Sequence, residues 1–366
     1  MKTCSKCLLP ETYPGLTFDA QNVCTRCRTF RPLKRPGLDL LARQFEKAKR
    51  KKACYDALVP LSGGKDSSYV LYLARKVYGL RVLAFTFDNG FLAPAARKNI
   101  HALTESLGAD HVTFQPSWDF LRRLYRSTLL LAGDMCGVCG IGIAAGSYQV
   151  AAAYGIPLIL SGASPMEENT GTPDKEQDTA RLAAIVRDAG LATPEELRSF
   201  VAPMPQPTFT HLALMALGFR PRKVYPLFYG EHKSEEEIRD FLLRETAWRD
   251  ASEAVNIKHF DCIAEPFTNF IREHRHGYSR RTCQYSNLIR FGEMSREEAR
   301  RKLEQESPAQ APPATPAILQ QLDVSQDDLA RILKIRPAAY DEFSAPDPWY
   351  LRLARAIRKM RTHLLC

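Results

Sequence analysis

Residues 55–68 read Tyr55-Asp56-Ala57-Leu58-Val59-Pro60-Leu61-Ser62-Gly63-Gly64-Lys65-Asp66-Ser67-Ser68. Ala57 to Leu61 is a short apolar run suited to a buried strand, and Tyr69 to Val77 is apolar at helical spacing. Ser62 to Ser67 must therefore turn tightly from strand into helix. Gly63 and Gly64 let the backbone approach an oxyanion, and the first N–H groups of the helix point at it. Lys65 with the hydroxyls of Ser62 and Ser67 completes a site for pyrophosphate.

The spacing is not that of a Walker A loop, nor of the Gly-x-Gly-x-x-Gly dinucleotide turn. It resembles the Ser-Gly-Gly-x-Asp-Ser loop of the PP-loop ATP pyrophosphatases. That resemblance implies ATP and Mg2+ as cofactors and cleavage of ATP to AMP and pyrophosphate, with AMP left on a substrate oxygen. Ser62, Gly63, Gly64, Lys65, Asp66 and Ser67 would hold the nucleotide, with Lys65 and Asp66 nearest the chemistry. Asp66 suits a loop stabiliser or metal ligand better than a base.

The chain of 366 residues has room for one substantial core and one or two small modules. Its formal charge of +10 suits an anionic small-molecule substrate without demanding nucleic acid. No apolar run looks long enough to span a membrane, and Met1-Lys2-Thr3-Cys4 does not open a signal peptide, so a cytoplasmic protein is expected. Of the ten cysteines, six fall into Cys-x-x-Cys pairs, a pattern that suits reduced thiols serving metals better than disulfides.

Cys4, Cys7, Cys24 and Cys27 have the spacing of a zinc ribbon over residues 1–30. Four thiolates leave no open coordination position, so such a site serves folding. The basic connector 28–52 reads as a solvated face, the commoner explanation of such a run.

From residue 55 to about 165, strand-like pieces (55–61, 82–87, 112–114, 156–160) alternate with helix-like ones (67–78, 94–107, 117–131, 142–154). This predicts an α/β fold with a doubly wound parallel sheet, a PP-loop domain spanning about 45–245. Ligands then bind beyond the carboxyl ends of the strands, where Asp88 and Gly162 fall. Asp88 suits the nucleotide or a magnesium ion, and equally a turn cap. Glu167 to Pro173 reads as a substrate loop. Residues 246–304 read as a helical substrate-side segment with turn points at Gly277 and Gly292. Residues 305–316 form a Pro-rich linker, and 317–366 a small helical module with an Arg-rich end.

The N-terminal cysteine pattern with Pro10 and Pro14-Gly15-Leu16-Thr17-Phe18-Asp19 resembles the N-acetyl sugar amidotransferases of surface-polysaccharide biosynthesis. So do residues 55–67, Gly155 to Ile159, Gly277-Tyr278-Ser279-Arg280 and Ser295 to Ala299. The resemblance covers most of residues 1–305. It implies conversion of an acetamido to an acetamidino group, with ammonia from a separate glutaminase subunit. Met1 and Lys2 exclude an N-terminal cysteine glutaminase, and Gly137-Val138-Cys139-Gly140 belongs to a Cys-x-x-Cys pair. The chain departs from that family at Cys283, where an acidic residue is expected. Cys136, Cys139 and Cys283 together resemble the ligand set of iron–sulfur PP-loop thiolases, which implies a [4Fe-4S] cluster and a sulfur donor. Two readings therefore stand, nitrogen transfer ahead of sulfur transfer. A zinc-ribbon RNA-binding module leaves Ser62 to Ser67 unexplained, and a homodimer is left open.

Overall fold

The computed structural model describes residues 2–166, 178–204, 214, 220–230, 233–250, 261–306 and 310–334. Five strands form one parallel sheet: β1 (Ala57–Pro60), β2 (Val82–Phe87), β3 (Asp110–Phe114), β4 (Leu158–Leu160) and β5 (Arg222–Val224). Their order is β3-β2-β1-β4-β5, with Ala57 opposite both Val82 and Leu158. The expected α/β doubly wound fold is present. The fifth strand lies beyond the four strand-like pieces expected from the sequence. Arg222-Lys223-Val224 is short and charged, so strand periodicity cannot reveal it; only its pairing with β4 does. The proposed loop Glu167–Pro173 and the Arg-rich end of the chain fall outside the described residues.

Strand alternation sorts the core into two layers. Leu58, Leu83, Phe85 and Ile159 face α5 (Trp118–Ala132), α6 (Cys136–Ala153), α7 (Thr179–Ala189) and α8 (Pro194–Val201). Ala57, Val59, Val82 and Ala84 face α2 (Leu38–Lys49), α3 (Lys65–Tyr72), α4 (Pro94–Leu107) and α9 (Glu235–Glu245). A four-residue helix, α1 (Thr25–Arg28), starts directly after Cys24 and carries Cys27.

By length and composition α6 is the one described helix that could cross a membrane, but it packs on the sheet and half of it is buried. Five further helices complete the described residues: α10 (Glu265–His276), α11 (Arg280–Phe291), α12 (Arg296–Glu306), α13 (Thr315–Leu322) and α14 (Gln326–Ile332). Gly277 and Gly292 end α10 and α11 in the left-handed conformation, at the expected turn points. Ile318, Leu322 and Ile332 are buried in the same core layer as α5. Arg126 of α5 also meets Asp323 at 2.6 Å.

Candidate functional site

The reversal of strand order places the switch point between β1 and β4, and their carboxyl ends carry Ser62 to Ser67 and Gly162. These two segments touch: a Cβ on Gly162 would lie 2.7 Å from the Ser67 nitrogen. Gly63 turns the loop at φ +81°, and a Cβ there would meet the Ala96 carbonyl oxygen at 2.5 Å. Its own carbonyl is held by the Trp248 indole N–H at 2.9 Å and the Asn99 amide at 3.3 Å. Gly63 thus shapes the loop from behind, while Ser62, Gly64, Lys65, Asp66 and Ser67 line a cavity of about 510 Å³.

Within the loop, the Ser67 hydroxyl accepts from the Ser62 N–H and lies 3.2 Å from both the Ser62 hydroxyl and the Gly64 carbonyl. Lys65 Nζ is 2.7 Å from Asp66 Oδ2 and 3.5 Å from Glu235 Oε1. Glu235 opens α9 and also accepts from Arg281 at 2.9 Å, so two cations share one carboxylate. Asp261 joins them. Burial raises its carboxyl above the usual range against a hydrogen bond from Ser62, and Asp66 beside it adds to the rise.

Asp88 is placed differently. It is buried at the end of β2, accepts from the Gly90 N–H at 3.1 Å and pairs with Arg97 at 3.1 Å, and it is absent from the cavity wall. It caps the turn, and its neighbour Asn89 reaches the cavity instead.

The cavity wall also carries thiols. Cys136 is the first residue of α6, its N–H capped by Asp134 at 3.1 Å, and Cys139 lies one turn on. Cys283 does not join them. On α11 it packs against Cys4, Cys7, Cys24, Leu9, Tyr13 and Tyr278, on the side of the helix that meets the N-terminal ribbon. The third thiol in the cavity is Cys262. Its segment is held by backbone pairing: Ala93 N–H donates to the Asp261 carbonyl at 3.1 Å and Ile263 N–H to the Phe91 carbonyl at 2.9 Å, across a Leu92–Cys262 bridge. Only tertiary pairing with the chain after β2 brings it in, so spacing could not single it out. The Asn89 amide lies 3.6 Å from Cys139 Sγ and 3.8 Å from Cys262 Sγ, and Tyr125 Oη is 3.2 Å from Cys139. Burial pushes all three thiols up.

Among the described residues, the ribbon is the one group of possible ligands whose atoms all fall within 4.8 Å of one another. Cys4–Cys27 and Cys7–Cys24 are each 3.8 Å apart, the edge of a tetrahedron whose metal–sulfur bonds are about 2.3 Å. Among the described residues, the three cavity thiols do not form a group this close.

A family model described as LPS biosynthesis protein WbpG-like, C-terminal domain, matches residues 239–358, about a third of the chain. That span contains Cys262, Arg280 and Cys283. No curated protein matches. Among solved structures the chain is similar to the U34-tRNA thiolase NcsA from Methanococcus maripaludis with its [4Fe-4S] cluster. That similarity has 16% identity, covers 83% of this chain and 89% of that one, and has a TM-score of 0.34. So low a score bears on no detail of fold or function.

Proposed function

We propose that this chain splits ATP into AMP and pyrophosphate, leaves AMP on an amide or carbonyl oxygen, and replaces that oxygen with nitrogen on an N-acetyl sugar. The observation that carries the first half is the placement of Lys65, Ser62 and Ser67 on one cavity at the sheet's switch point. The match to a model described as LPS biosynthesis protein WbpG-like supports the second half, because the N-acetyl sugar amidotransferases that the sequence resembles serve surface-polysaccharide biosynthesis.

An amide oxygen is a poor leaving group, and adenylation makes it a good one. The residues here would supply position and charge: the loop and Lys65 take the pyrophosphate, while Asp66 and Asp261 suit a magnesium ion that offsets its negative charge. Ammonia then attacks the adenylated carbon and AMP departs, leaving an amidine. A separate glutaminase would deliver that ammonia. The four ribbon thiolates fit zinc in a closed, structural site.

A second reading, sulfur transfer, is favoured by one observation: Cys136, Cys139 and Cys262 share the cavity with the loop. Their soft thiolates suit a [4Fe-4S] cluster, which when bound would offer a site for sulfur.

The test is AMP release by anaerobically purified protein with an N-acetylated sugar nucleotide. Stimulation by ammonium, with a product lighter by the difference between O and NH, supports nitrogen transfer, and Lys65→Ala should abolish it. Stimulation by sulfide alone, with a thiocarbonyl product, selects the second reading. AMP release dependent on neither would sink both.

A further inference from the structure

We infer that Arg280 forms, with Gln284 one turn further along α11, the subsite that holds an anionic group of the substrate being adenylated, distinct from the pyrophosphate cradle. The chemistry it suits is a phosphate, as carried by a nucleotide-linked sugar. The inference rests on the adenylation proposed above and deepens it.

Four cations line the cavity. Lys65 is engaged by Asp66 and Glu235, and Arg239 by Asp240 and Asp250. Lys223 lies over the Tyr225 ring. Arg280 is half-buried and, among the described residues, makes no hydrogen bond or ion pair. Its neighbour Arg281 is the opposite case: buried, it meets Glu235 at 2.9 Å and Glu306 at 3.5 Å. Consecutive arginines on one helix thus divide into a neutralised structural charge and an uncompensated one facing the cavity.

A guanidinium with no carboxylate at ion-pair distance is poised for an oxyanion, which it can meet with two parallel N–H donors. Gln284 lines the same wall. Its Oε1 is occupied by Arg281 at 3.2 Å, leaving its amide N–H groups to donate. Arg280 also sits within the electrostatic reach of Cys136, Cys139 and Glu265, opposing the rise that burial imposes on each. That places its charge beside the cavity thiols.

The helix carrying it is firmly held. Ser279 closes a capping box with Thr282 at the start of α11. The ribbon docks on its other side, where Leu8 N–H donates to the Ser286 hydroxyl at 3.2 Å, and Arg296 of α12 reaches the Cys7 carbonyl at 3.2 Å.

The experiment uses the full-length protein saturated with magnesium and a non-hydrolysable α,β-methylene ATP. Inorganic phosphate and UDP-N-acetylglucosamine are then titrated by calorimetry. Arg280→Gln should weaken both probes roughly tenfold or more, and Arg280→Lys less, because an ammonium keeps charge but loses the fork. Affinity for the ATP analogue should stay within about twofold in both variants. Unchanged probe binding in Arg280→Gln, no probe binding by the unaltered protein, or a loss confined to the ATP analogue would each overturn the subsite. Should Arg280→Gln fail to fold, Arg280→Lys carries the test, and probe binding equal to that of the unaltered protein overturns it. Arg280-dependent binding without ammonium-stimulated AMP release would leave the subsite standing and remove nitrogen transfer alone.

Discussion

Cys139 and Cys262, far apart in the chain, share one hydrogen-bond donor: the Asn89 amide lies 3.6 Å from the first sulfur and 3.8 Å from the second. This makes Cys262, rather than Cys283, the partner of the Cys136–Cys139 pair. If the three thiols hold an iron–sulfur cluster, Cys262→Ala should lose iron and visible absorbance in anaerobic preparations, whereas Cys283→Ala should retain both. The Cys283 change should appear instead as a loss of about 1–2 kcal/mol of stability, since it removes a buried group beneath the ribbon. Colour lost in Cys283→Ala and kept in Cys262→Ala would refute the placement.

Gly162→Ala tests the contact between the ends of β1 and β4. The added methyl would lie 2.7 Å from the Ser67 nitrogen, against backbone that cannot swing aside. Stability should fall by about 1–3 kcal/mol, with a larger proportional loss of ATP affinity because the loop itself must move. Denaturant titration alongside nucleotide binding checks both, and unaltered ATP affinity would count against the loop geometry.

Trp248→Phe removes the indole donor to the Gly63 carbonyl while keeping most of the buried ring. The carbonyl retains Asn99, so the expected cost is about 1 kcal/mol, with a raised KM for ATP and little change in folding cooperativity. Melting curves and steady-state AMP release report the two effects separately.

If the four ribbon thiolates hold a metal, chelation or Cys24→Ser should release it and loosen α11, because Leu8 and Arg296 bind across that boundary. Hydrogen exchange should accelerate at residues 280–291 before it does in the central strands. Equal protection with and without metal would show that the ribbon is not what braces the helix.

Acid should weaken the attachment of α8 to α5. Glu196 accepts from Arg123 at 2.5 and 2.9 Å, and the guanidinium holds its carboxyl down from 4.5 to about 2. A depressed carboxylate stabilises the folded state above pH 4.5, and that contribution fades as pH falls toward 2. Glu196→Gln should flatten this part of the stability profile measured by denaturant midpoints. The pair is exposed enough that high salt should blunt the effect as well.

Much of the site was legible because its residues are neighbours in the chain. Ser62 to Ser67 form a continuous strand–turn–helix, and the Cys-x-x-Cys pairs of the ribbon declare themselves by spacing. Asp88 was harder: a carboxylate after a buried strand suits a ligand or a cap equally, and Arg97 with the Gly90 N–H made it the cap. Cys283 misled because the face of a helix that meets the cavity depends on packing. On α11 that face carries Arg280 and Gln284, and the ribbon takes the other.

By itself the sequence determined the parallel α/β sheet, the turn after β1 and the closed four-thiol knuckles, since each follows from local periodicity or from ligand spacing that covalent geometry enforces. Only the tertiary structure decided which cysteine completes the cavity wall, which arginine is left unpaired there and where β5 joins the sheet. Those outcomes depend on backbone pairing, helix orientation and ion pairs between segments far apart in the chain, whose energies no local window contains.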